Sequence, residues 1–392
     1  MNDQENDTPV FWLTTGPVAA YPQVSQGLSR PVLYDDDPVF RVRYETLTRK
    51  LRTALRTSTM PVIMQGEPVL GLEAAAASLI AKDDVVLNLV SGVYGDGYGY
   101  WARRYCRELV EIRVPYNEVI DPARVEAVLK SRPDIKVVSM CHHDTPSGTI
   151  NPAVEIGRVV AAHGGYLVID AVSSFGGMNI HPEDCAADIF VTAPQKCLGC
   201  PPGLTIMSVT DRAWARMHAN PLAPRASFLS IIDWQNAWKR DQPFPFTPSI
   251  AEINGLEAAV DLYLEEGPEQ VWARHGLTSA ACRAGVQAMG LSLWAAQERF
   301  ASPTATAVRI PPGVDAAALL KAVRANYGVL FSSGSGETEG KLVLIGHMGP
   351  NARPIYAIVA VAALGGALAS IGHTVDVGAG VKAAMAVIDR GH

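Results

Sequence analysis

The chain has 392 residues, of which 48% are hydrophobic and 18% charged; this excludes an intrinsically disordered protein and allows two domains. The formal net charge of −6 leaves no basic excess for binding nucleic acid or an anionic membrane. No apolar run is long enough to span a bilayer and the acidic segment 1–8 is unlike a signal peptide, so we expect a cytoplasmic protein.

The first half of the chain is predicted to alternate strands and helices after an N-terminal arm at residues 1–20 and a helix at 44–56. The predicted strands are 85–90, 136–141, 166–170, 188–191 and 204–209, and the predicted helices among them are 72–81, 122–130 and 153–162. This alternation predicts an α/β fold with a mostly parallel sheet covered by helices on both faces, in a large domain at residues 21–250.

The pattern changes after residue 250. One long helical pattern runs from 256 toward 289. The later predicted strands are 304–310, 329–331 and 342–345, and the later predicted helices are 316–326, 355–369 and 378–390. We therefore predict a smaller C-terminal α+β domain at residues 251–392.

Two predicted strands lead to charged side chains. The run at 166–170 ends in Asp170, and the run that begins at Asp188 leads to Lys196. In an open α/β sheet, residues at the carboxyl ends of strands face the ligand crevice. A carboxylate for a pyridine nitrogen and a lysine for a Schiff base are what a vitamin B6 compound requires. Asp170 alone could be a structural residue of a turn, and a single lysine is most often a solvated surface charge. The two together at neighbouring strand ends predict a B6 enzyme.

Residues 66–75 lead from a strand into a helix, the kind of N-terminus that binds a cofactor phosphate through free N–H groups. Here Glu67 places a carboxylate at the entrance, and Pro68 removes one N–H donor. An ionised carboxylate repels a phosphate dianion. The alternative is that Glu67 only complements the dipole of the helix.

Other candidates follow the remaining strands. Tyr94, flanked by glycines, suits either stacking on a planar ring or packing in a turn. Thr145 and Ser147 are candidate hydroxyl donors to a cofactor oxygen. His142 and His143 point to opposite faces of a strand, so they cannot share a metal, and we expect core or site-wall residues.

The six cysteines show no spacing typical of a disulfide framework. Cys197 and Cys200 form a C-x-x-C sequence, but no second pair of ligands is spaced for zinc. We expect buried thiols and no metal site.

Six segments together resemble the fold-type I, class V aminotransferases of the alanine–glyoxylate type, along nearly the whole chain. These segments are 66–80, 141–152, 170–177, 220–227, 243–249 and 345–350. The resemblance is strongest to the branch that acts on pyridoxamine and pyruvate. It implies an aminotransferase that moves the amino group between pyridoxamine and an oxo acid such as pyruvate, giving pyridoxal and L-alanine. It also implies small-molecule partners and a homodimer or homotetramer with active sites at the subunit interface.

The resemblance also implies roles for individual residues. Lys196 would form the Schiff base and carry a proton between C4′ and the amino acid Cα, and Asp170 would hold the pyridinium proton. The implied cofactor-binding residues are Glu67, Pro68, Tyr94, Thr145, Val172, Gln195 and Thr247. Tyr94 and Val172 would pack on the two ring faces, and Thr247 would reach into the partner's site. In this branch the B6 compound is an unphosphorylated substrate, in agreement with Glu67 and Pro68.

The chain departs from this branch at three positions. Leu344 and Ser335 stand where the branch has arginines that clamp the oxo acid carboxylate, a bidentate contact that Leu and Ser cannot make. Lys341 matches a lysine that the branch already has, so it is not an obvious replacement for the missing arginines. An arginine from elsewhere in the chain, such as Arg225, stays open as the group that binds the carboxylate. Gln195 replaces an asparagine and is typical of phosphate-using relatives, so pyridoxal 5′-phosphate stays open as the cofactor.

The missing arginines keep two alternatives open. One is a pyridoxal-phosphate lyase, aldolase or decarboxylase on the same scaffold, because the bond that breaks at Cα depends on how the substrate is held. The other is a B6-binding protein without catalytic activity, against which intact Lys196 and Asp170 argue.

Overall fold

A seven-stranded sheet is the centre of the larger part of the computed structural model, which describes residues 11–391. Residues 1–10 of the predicted N-terminal arm, including the segment 1–8, lie outside the described residues, as does residue 392. The strands are β1 (Phe11–Trp12), β2 (Val62–Gln65), β3 (Val85–Val90), β4 (Glu108–Arg113), β5 (Ile135–Cys141), β6 (His143–Asp144), β7 (Thr149–Ile150), β8 (Tyr166–Asp170), β9 (Ile189–Thr192), β10 (Leu204–Val209), β11 (Ala305–Arg309), β12 (Val329–Leu330), β13 (Ser332–Ser333) and β14 (Leu342–Gly346).

Helices cover this sheet and build much of the C-terminal part. They are α1 (Pro22–Leu28), α2 (Pro38–Leu55), α3 (Pro68–Leu79), α4 (Val93–Tyr105), α5 (Pro122–Ser131), α6 (Ala153–His163), α7 (Asp211–Ala219), α8 (Ile231–Trp234), α9 (Ile250–Glu266), α10 (Pro268–Ala288), α11 (Ala316–Tyr327), α12 (Pro354–Ser370) and α13 (Val377–Arg390). Within residues 11–391, no helix combines the length and apolar character needed to cross a membrane.

The strand order of the large sheet is β2-β10-β9-β8-β5-β3-β4, and within it β10 is antiparallel to both neighbours while the other strands run one way. This confirms the predicted α/β fold with a mostly parallel sheet. The direction of β10 follows from its connection, because only residues 193–203 link it to β9. A parallel crossover needs a dozen or more residues, so this short loop, which carries Lys196, returns the chain antiparallel.

Alternate residues of the central strands point to opposite faces of the sheet. In β8, Leu167 and Ile169 pack in a core with helices α2 and α9, whereas Val168 packs in a second core with α3 and α7. Burial on both faces explains the nearly continuous apolar runs of these strands. Since helices cover both faces, the carboxyl ends of the parallel strands are left to bind a ligand.

A smaller antiparallel sheet, in the order β11-β14-β13, lies in the C-terminal part and packs with helices α10 to α13. Strand β1 pairs in parallel with β12, so the N-terminal segment joins this part. Helix α9 packs instead against α1 and α2 at the large sheet. The domain boundaries predicted from the sequence, at residues 20 and 250, stay predictions, because these contacts do not define where one domain ends and the next begins.

The single helical pattern predicted across 256–289 was wrong, since it contains two helices. Helix α9 ends at Glu266 and α10 begins at Pro268. Gly267 between them has a φ of 89°, a conformation that favours glycine. Pro268 has no N–H with which to continue the hydrogen bonds of α9.

Elements at the periphery were missed. Strand β4 is an edge strand with charged residues at Glu108, Glu111 and Arg113, so it lacks the apolar run that marks the central strands. Helix α4 contains glycines at 95, 97 and 99, which lower its intrinsic propensity. Packing of Tyr98 and Ala102 in the core stabilises it nevertheless.

Candidate active site

Asp170 and Lys196 line one cavity of about 320 Å³. Asp170 is the last residue of β8, and Lys196 lies in the loop that follows the neighbouring strand β9. The other residues that line the cavity are Gly16, Pro17, Glu67, Pro68, Val69, Leu72, Tyr94, Val172, Ser173, Gln195 and Pro202. The fold thus brings together the two predicted catalytic residues and most of the predicted cofactor-binding residues.

Lys196 is buried, and its Nζ donates a hydrogen bond to the carbonyl oxygen of Thr15 at 2.6 Å. Burial lowers the pKa of this amine because it penalises the charged form. Gly16 permits the close approach, since a Cβ at that position would lie 2.3 Å from Nζ. A larger neutral fraction favours nucleophilic attack by the lysine on a carbonyl carbon. Neither Thr15 nor Gly16 was predicted from the sequence to belong to the site.

The carboxylate of Asp170 is held at the end of its strand. Its Oδ1 accepts a hydrogen bond from the N–H of Val172 at 2.9 Å. Burial raises the pKa of Asp170 to about 6, and hydrogen bonds from Val172 and from the thiol of Cys141 oppose this rise. Cys141 is the residue opposite Asp170 in strand β5. Above this pKa the group is a fixed anion at the sheet edge.

Glu67 forms the N-cap of helix α3, where its side chain accepts a hydrogen bond from the N–H of Val69 at 3.0 Å. Gln195 also donates to Glu67, from Nε2 to Oε1 at 3.3 Å. A carboxylate of the protein therefore occupies the helix terminus at which an anion would otherwise bind. Pro68, the first residue of the helix, supplies no N–H. Glu67 therefore has two roles in the structure: it caps helix α3, and it also lines the cavity in which a ligand would bind.

Tyr94 lies in the first turn of α4, and 44% of its surface is exposed. Asp144 fixes this turn, because its Oδ2 accepts hydrogen bonds from the N–H groups of Tyr94 at 2.8 Å and Gly95 at 3.2 Å. Gly92 allows the approach, since a Cβ there would lie 2.0 Å from the Cγ of Asp144. Burial raises the pKa of Asp144 to about 7. Asp144 was not predicted from the sequence, where its place after the strand that ends at Cys141 was the available signal.

Two predicted cofactor-binding residues do not line the cavity. Thr145 is buried behind it, with its hydroxyl hydrogen-bonded to that of Ser173, which does line it. Thr247 is exposed in the loop before α9. Within one chain, Thr145 therefore contacts the cavity only through Ser173, and Thr247 does not contact it.

Both predicted site-wall histidines are buried, and burial lowers the pKa of His142 to about 3 and that of His143 to about 4. The Nδ1 of His143 is 3.0 Å from the carbonyl oxygen of Ser173 and 3.1 Å from Oγ1 of Thr304. In the described part of the chain, no group of His, Cys, Asp or Glu is arranged to hold a metal ion. All six cysteines are free thiols.

The two positions where the chain lacks the arginines of the family branch carry no charge. Leu344 lies in β14 and is buried in an apolar cluster with Val90, Tyr116, Trp294, Ala307 and Leu342. Ser335 is exposed, and its N–H donates to Oγ1 of Thr338 in a short turn. Among the described residues, no arginine lines the cavity.

The residues of the cavity fit a B6 compound. Asp170 and Lys196 supply an anion and an amine, while Tyr94 and Val172 supply an aromatic and an aliphatic surface for a planar ring. The Oε1 of Gln195 is buried without a hydrogen-bond partner in the described structure. A hydroxyl on the ligand fits this acceptor, because buried polar atoms are normally paired.

Comparison with known proteins gives consistent matches. Residues 101–348 match the sequence profile of class-V aminotransferases. The chain is 66% identical over 389 residues to a pyridoxamine–pyruvate transaminase of Mesorhizobium japonicum, covering 99% of each. The crystal structure of pyridoxamine–pyruvate aminotransferase from Mesorhizobium loti superposes with a TM-score of 0.98 at 66% identity, covering 100% of both chains. That of a ureidoglycine–glyoxylate aminotransferase from Bacillus subtilis has a TM-score of 0.92 at 28% identity and covers 98% of this chain and 100% of the other.

Proposed function

We propose that this chain, which belongs to the class V aminotransferase family, moves the amino group between pyridoxamine and a small oxo compound such as pyruvate. The observation that carries the proposal is the shared cavity of Lys196, Asp170 and Glu67. The 66% identical relative is named for pyridoxamine and pyruvate as its substrates. The lyase alternative gains no support, since the relatives compared above are all named as transaminases or aminotransferases.

Lys196 is the residue that we assign to proton transfer. When bound, a B6 compound supplies a ring that accepts the electrons left behind as a proton departs. Burial lowers the pKa of Lys196. Its neutral amine would accept the proton at Nζ from one of the two carbons, C4′ or the amino acid Cα, and return it to the other. The hydrogen bond to Thr15 holds Nζ in the cavity.

We assign Asp170 to the ring nitrogen. The ionised carboxylate stabilises a proton on a pyridine nitrogen and so strengthens the ring as an electron acceptor. The N–H of Val172 orients the carboxylate. We propose that Tyr94 and the side chain of Val172 pack on the two ring faces, and that Thr145 acts through Ser173.

The charge of Glu67 supports an unphosphorylated B6 compound. Its carboxylate already accepts the N–H of Val69 at the start of α3 and repels a phosphate dianion. Gln195, Glu67 and Pro68 are the residues that we assign to the end of the ligand where other family members carry a phosphate. Binding of pyridoxamine as a substrate that leaves as pyridoxal agrees with this arrangement.

We also propose that the protein is a homodimer or a higher assembly of dimers, located in the cytoplasm. Phe228 is 55% exposed and Leu222 62% exposed, on the segment between α7 and α9. Phe228 stacks on Phe246, which directly precedes Thr247, with 4.4 Å between ring centroids. An exposed apolar patch of this kind suits association with a second copy. We propose that Thr247, which follows Phe246, then contributes to the partner's cavity.

An absorbance titration of the purified protein with pyridoxal, and separately with pyridoxal 5′-phosphate, tests the proposal. We expect a visible Schiff-base band with pyridoxal that is absent in Lys196→Ala and retained in Lys130→Ala, a variant of an exposed surface lysine. Formation of pyridoxal from pyridoxamine and an oxo compound is then followed by the same band. A band that forms only with the phosphate ester, or no amine transfer to any acceptor, contradicts the proposal.

A further inference from the structure

The charges of the side chains that line the cavity affect which compound can receive the amino group, and in particular whether that compound can carry a carboxylate. In the described part of the chain, the ionisable side chains that line the cavity are Lys196, Asp170, Glu67 and Tyr94. Two of these are carboxyl groups, and burial lowers the pKa of the single amine. A substrate carboxylate that enters this cavity finds two carboxyl groups and, over residues 11–391, no arginine along the lining, so its charge has no guanidinium partner there.

Arginines on neighbouring elements are directed to acceptors of the protein. Their hydrogen bonds run from Arg274 to Glu266, Tyr21 and the carbonyl of Gly349, from Arg283 to Glu298 and the carbonyl of Ser302, and from Arg309 to the carbonyls of Leu293 and Trp294. A carboxylate clamp needs the planar face of a guanidinium turned toward the substrate. These three arginines do not line the cavity.

The cluster against which the turn of Tyr94 packs is apolar and contains no cation among the described residues. Leu344 packs with Val90 of β3, and Val93, the first residue of α4, packs against the same cluster. Gly336 lies against Val93 as well, since a Cβ at Gly336 would be 3.3 Å from Cγ2 of Val93. Leu344 and Gly336, the residue after Ser335, thus both adjoin the turn that carries Tyr94, and neither Leu344 nor Ser335 presents a charge.

We propose that this chain prefers a small neutral aldehyde or ketone over a 2-oxo acid as acceptor, and that Leu344 and Ser335 set this preference. The inference rests on the proposed transfer from pyridoxamine. C4′ of pyridoxamine is oxidised to the aldehyde of pyridoxal, while the carbonyl carbon of the acceptor is reduced to an amine carbon. Nitrogen passes to the acceptor, whose oxygen leaves as water, and a second water supplies the aldehyde oxygen, so no other reagent is needed.

The test compares pyruvate with methyl pyruvate, its neutral ester, and with propanal, each with pyridoxamine and the unmodified protein. We expect kcat/KM for methyl pyruvate to exceed that for pyruvate by about tenfold or more, because the ester removes the charge that lacks a cationic partner and keeps the reacting carbonyl. Propanal is expected to react as well, since it needs no carboxylate contact. A preference for pyruvate over its ester overturns the inference.

Arginine variants test the two positions. Ser335→Arg, at an exposed site, and Leu344→Arg are each expected to raise kcat/KM for pyruvate by about tenfold, chiefly through KM, without a matching gain for methyl pyruvate. Leu344→Met keeps the volume and should keep the preference. The exposed Ser335→Arg variant and the comparison in the unmodified protein remain decisive if Leu344→Arg does not fold.

The outcomes separate this inference from the proposed function. Formation of pyridoxal with a clear preference for pyruvate keeps the function and overturns the acceptor class. The same holds if pyruvate activity depends on an arginine supplied by a second copy, which Arg225→Ala would reveal by a specific rise in KM for pyruvate. No pyridoxal with any acceptor refutes the proposed function itself.

Discussion

The Nζ of Lys196 and the carbonyl oxygen of Thr15 are 2.6 Å apart, although the two residues are separated by 181 positions in the chain. Strand β1, just before Thr15, pairs with β12 of the C-terminal part. The proposed catalytic lysine is thus held between the large sheet and a segment anchored to the smaller part of the molecule.

This contact predicts that Gly16→Ala impairs binding of pyridoxal. The added Cβ would lie 2.3 Å from Nζ of Lys196, so the loop or the lysine must move. We expect the dissociation constant for pyridoxal, measured from the Schiff-base band, to rise by about tenfold or more. Gly276→Ala is the matched control, because a Cβ there meets no atom within 4 Å. Equal affinity in both variants contradicts this account.

Asp170→Asn is expected to lower kcat/KM by about 10²-fold or more, because a neutral amide cannot stabilise the proton on the ring nitrogen. The pKa of about 6 gives the pH dependence its sign. The carboxylate is ionised above this value, so kcat/KM of the unmodified protein should fall as pH decreases through about 6. The pH–rate profile measures this, with Asp134→Asn at an exposed site as control. A profile that is flat from about pH 5 to about pH 8, roughly one unit below this pKa to two units above it, is inconsistent with the assigned role.

Glu67→Gln should change the preference between B6 compounds. Removal of the charge relieves repulsion of phosphate, while the amide oxygen can still accept the N–H of Val69. We expect affinity for pyridoxal 5′-phosphate relative to pyridoxal to rise by roughly tenfold, as measured by paired titrations. Glu73→Gln, on the same helix but paired with Arg104, should leave the ratio unchanged. If both variants behave alike, Glu67 is only a helix cap.

Asp144→Asn should alter the pH dependence of stability. The pKa of Asp144 is about 7, above that of an unfolded aspartate. The folded state therefore binds the proton more tightly, and this group's contribution to stability declines as pH rises from about 4 to about 7. Asparagine removes that decline and keeps an oxygen for the N–H of Tyr94.

The variant should accordingly gain stability relative to the unmodified protein as pH rises, by at least about 1 kcal/mol across this range. Urea unfolding at several pH values measures the difference. The buried histidines, whose lowered pKa values act in the opposite direction, cancel in this comparison. A difference that does not vary with pH would mean that Asp144 is not protonated in this range.

Phe228→Asp should weaken association between copies of the chain, because it places a charge on the exposed apolar patch. Sedimentation should show a smaller species, and activity should fall if Thr247 completes the partner's site. Met385→Asp, at another exposed apolar residue in α13, is the control. A monomer before mutation, or an unchanged assembly after it, argues against this interface.

The strands that form the site were predictable from local sequence. The apolar runs at 85–90, 166–170 and 204–209 coincide with β3, β8 and β10, because a strand buried on both faces consists largely of apolar residues. The same logic located Asp170 and Lys196 at strand ends, where parallel strands present polar groups to a ligand. The break between helices α9 and α10 was also marked in the local sequence, by Gly267 followed by Pro268, but it was not predicted.

Only the tertiary structure decided which distant residues meet. The contact of the Thr15 backbone with Lys196 and that of Asp144 with the turn of Tyr94 come from packing between remote segments. Such contacts leave no periodic pattern in the sequence, because they depend on close approaches such as that of Gly92 to Asp144. Composition and strand patterns suffice for the sheet and for the proposed catalytic pair, since burial constrains each residue locally. The walls of the site arise instead where surfaces far apart in the chain meet.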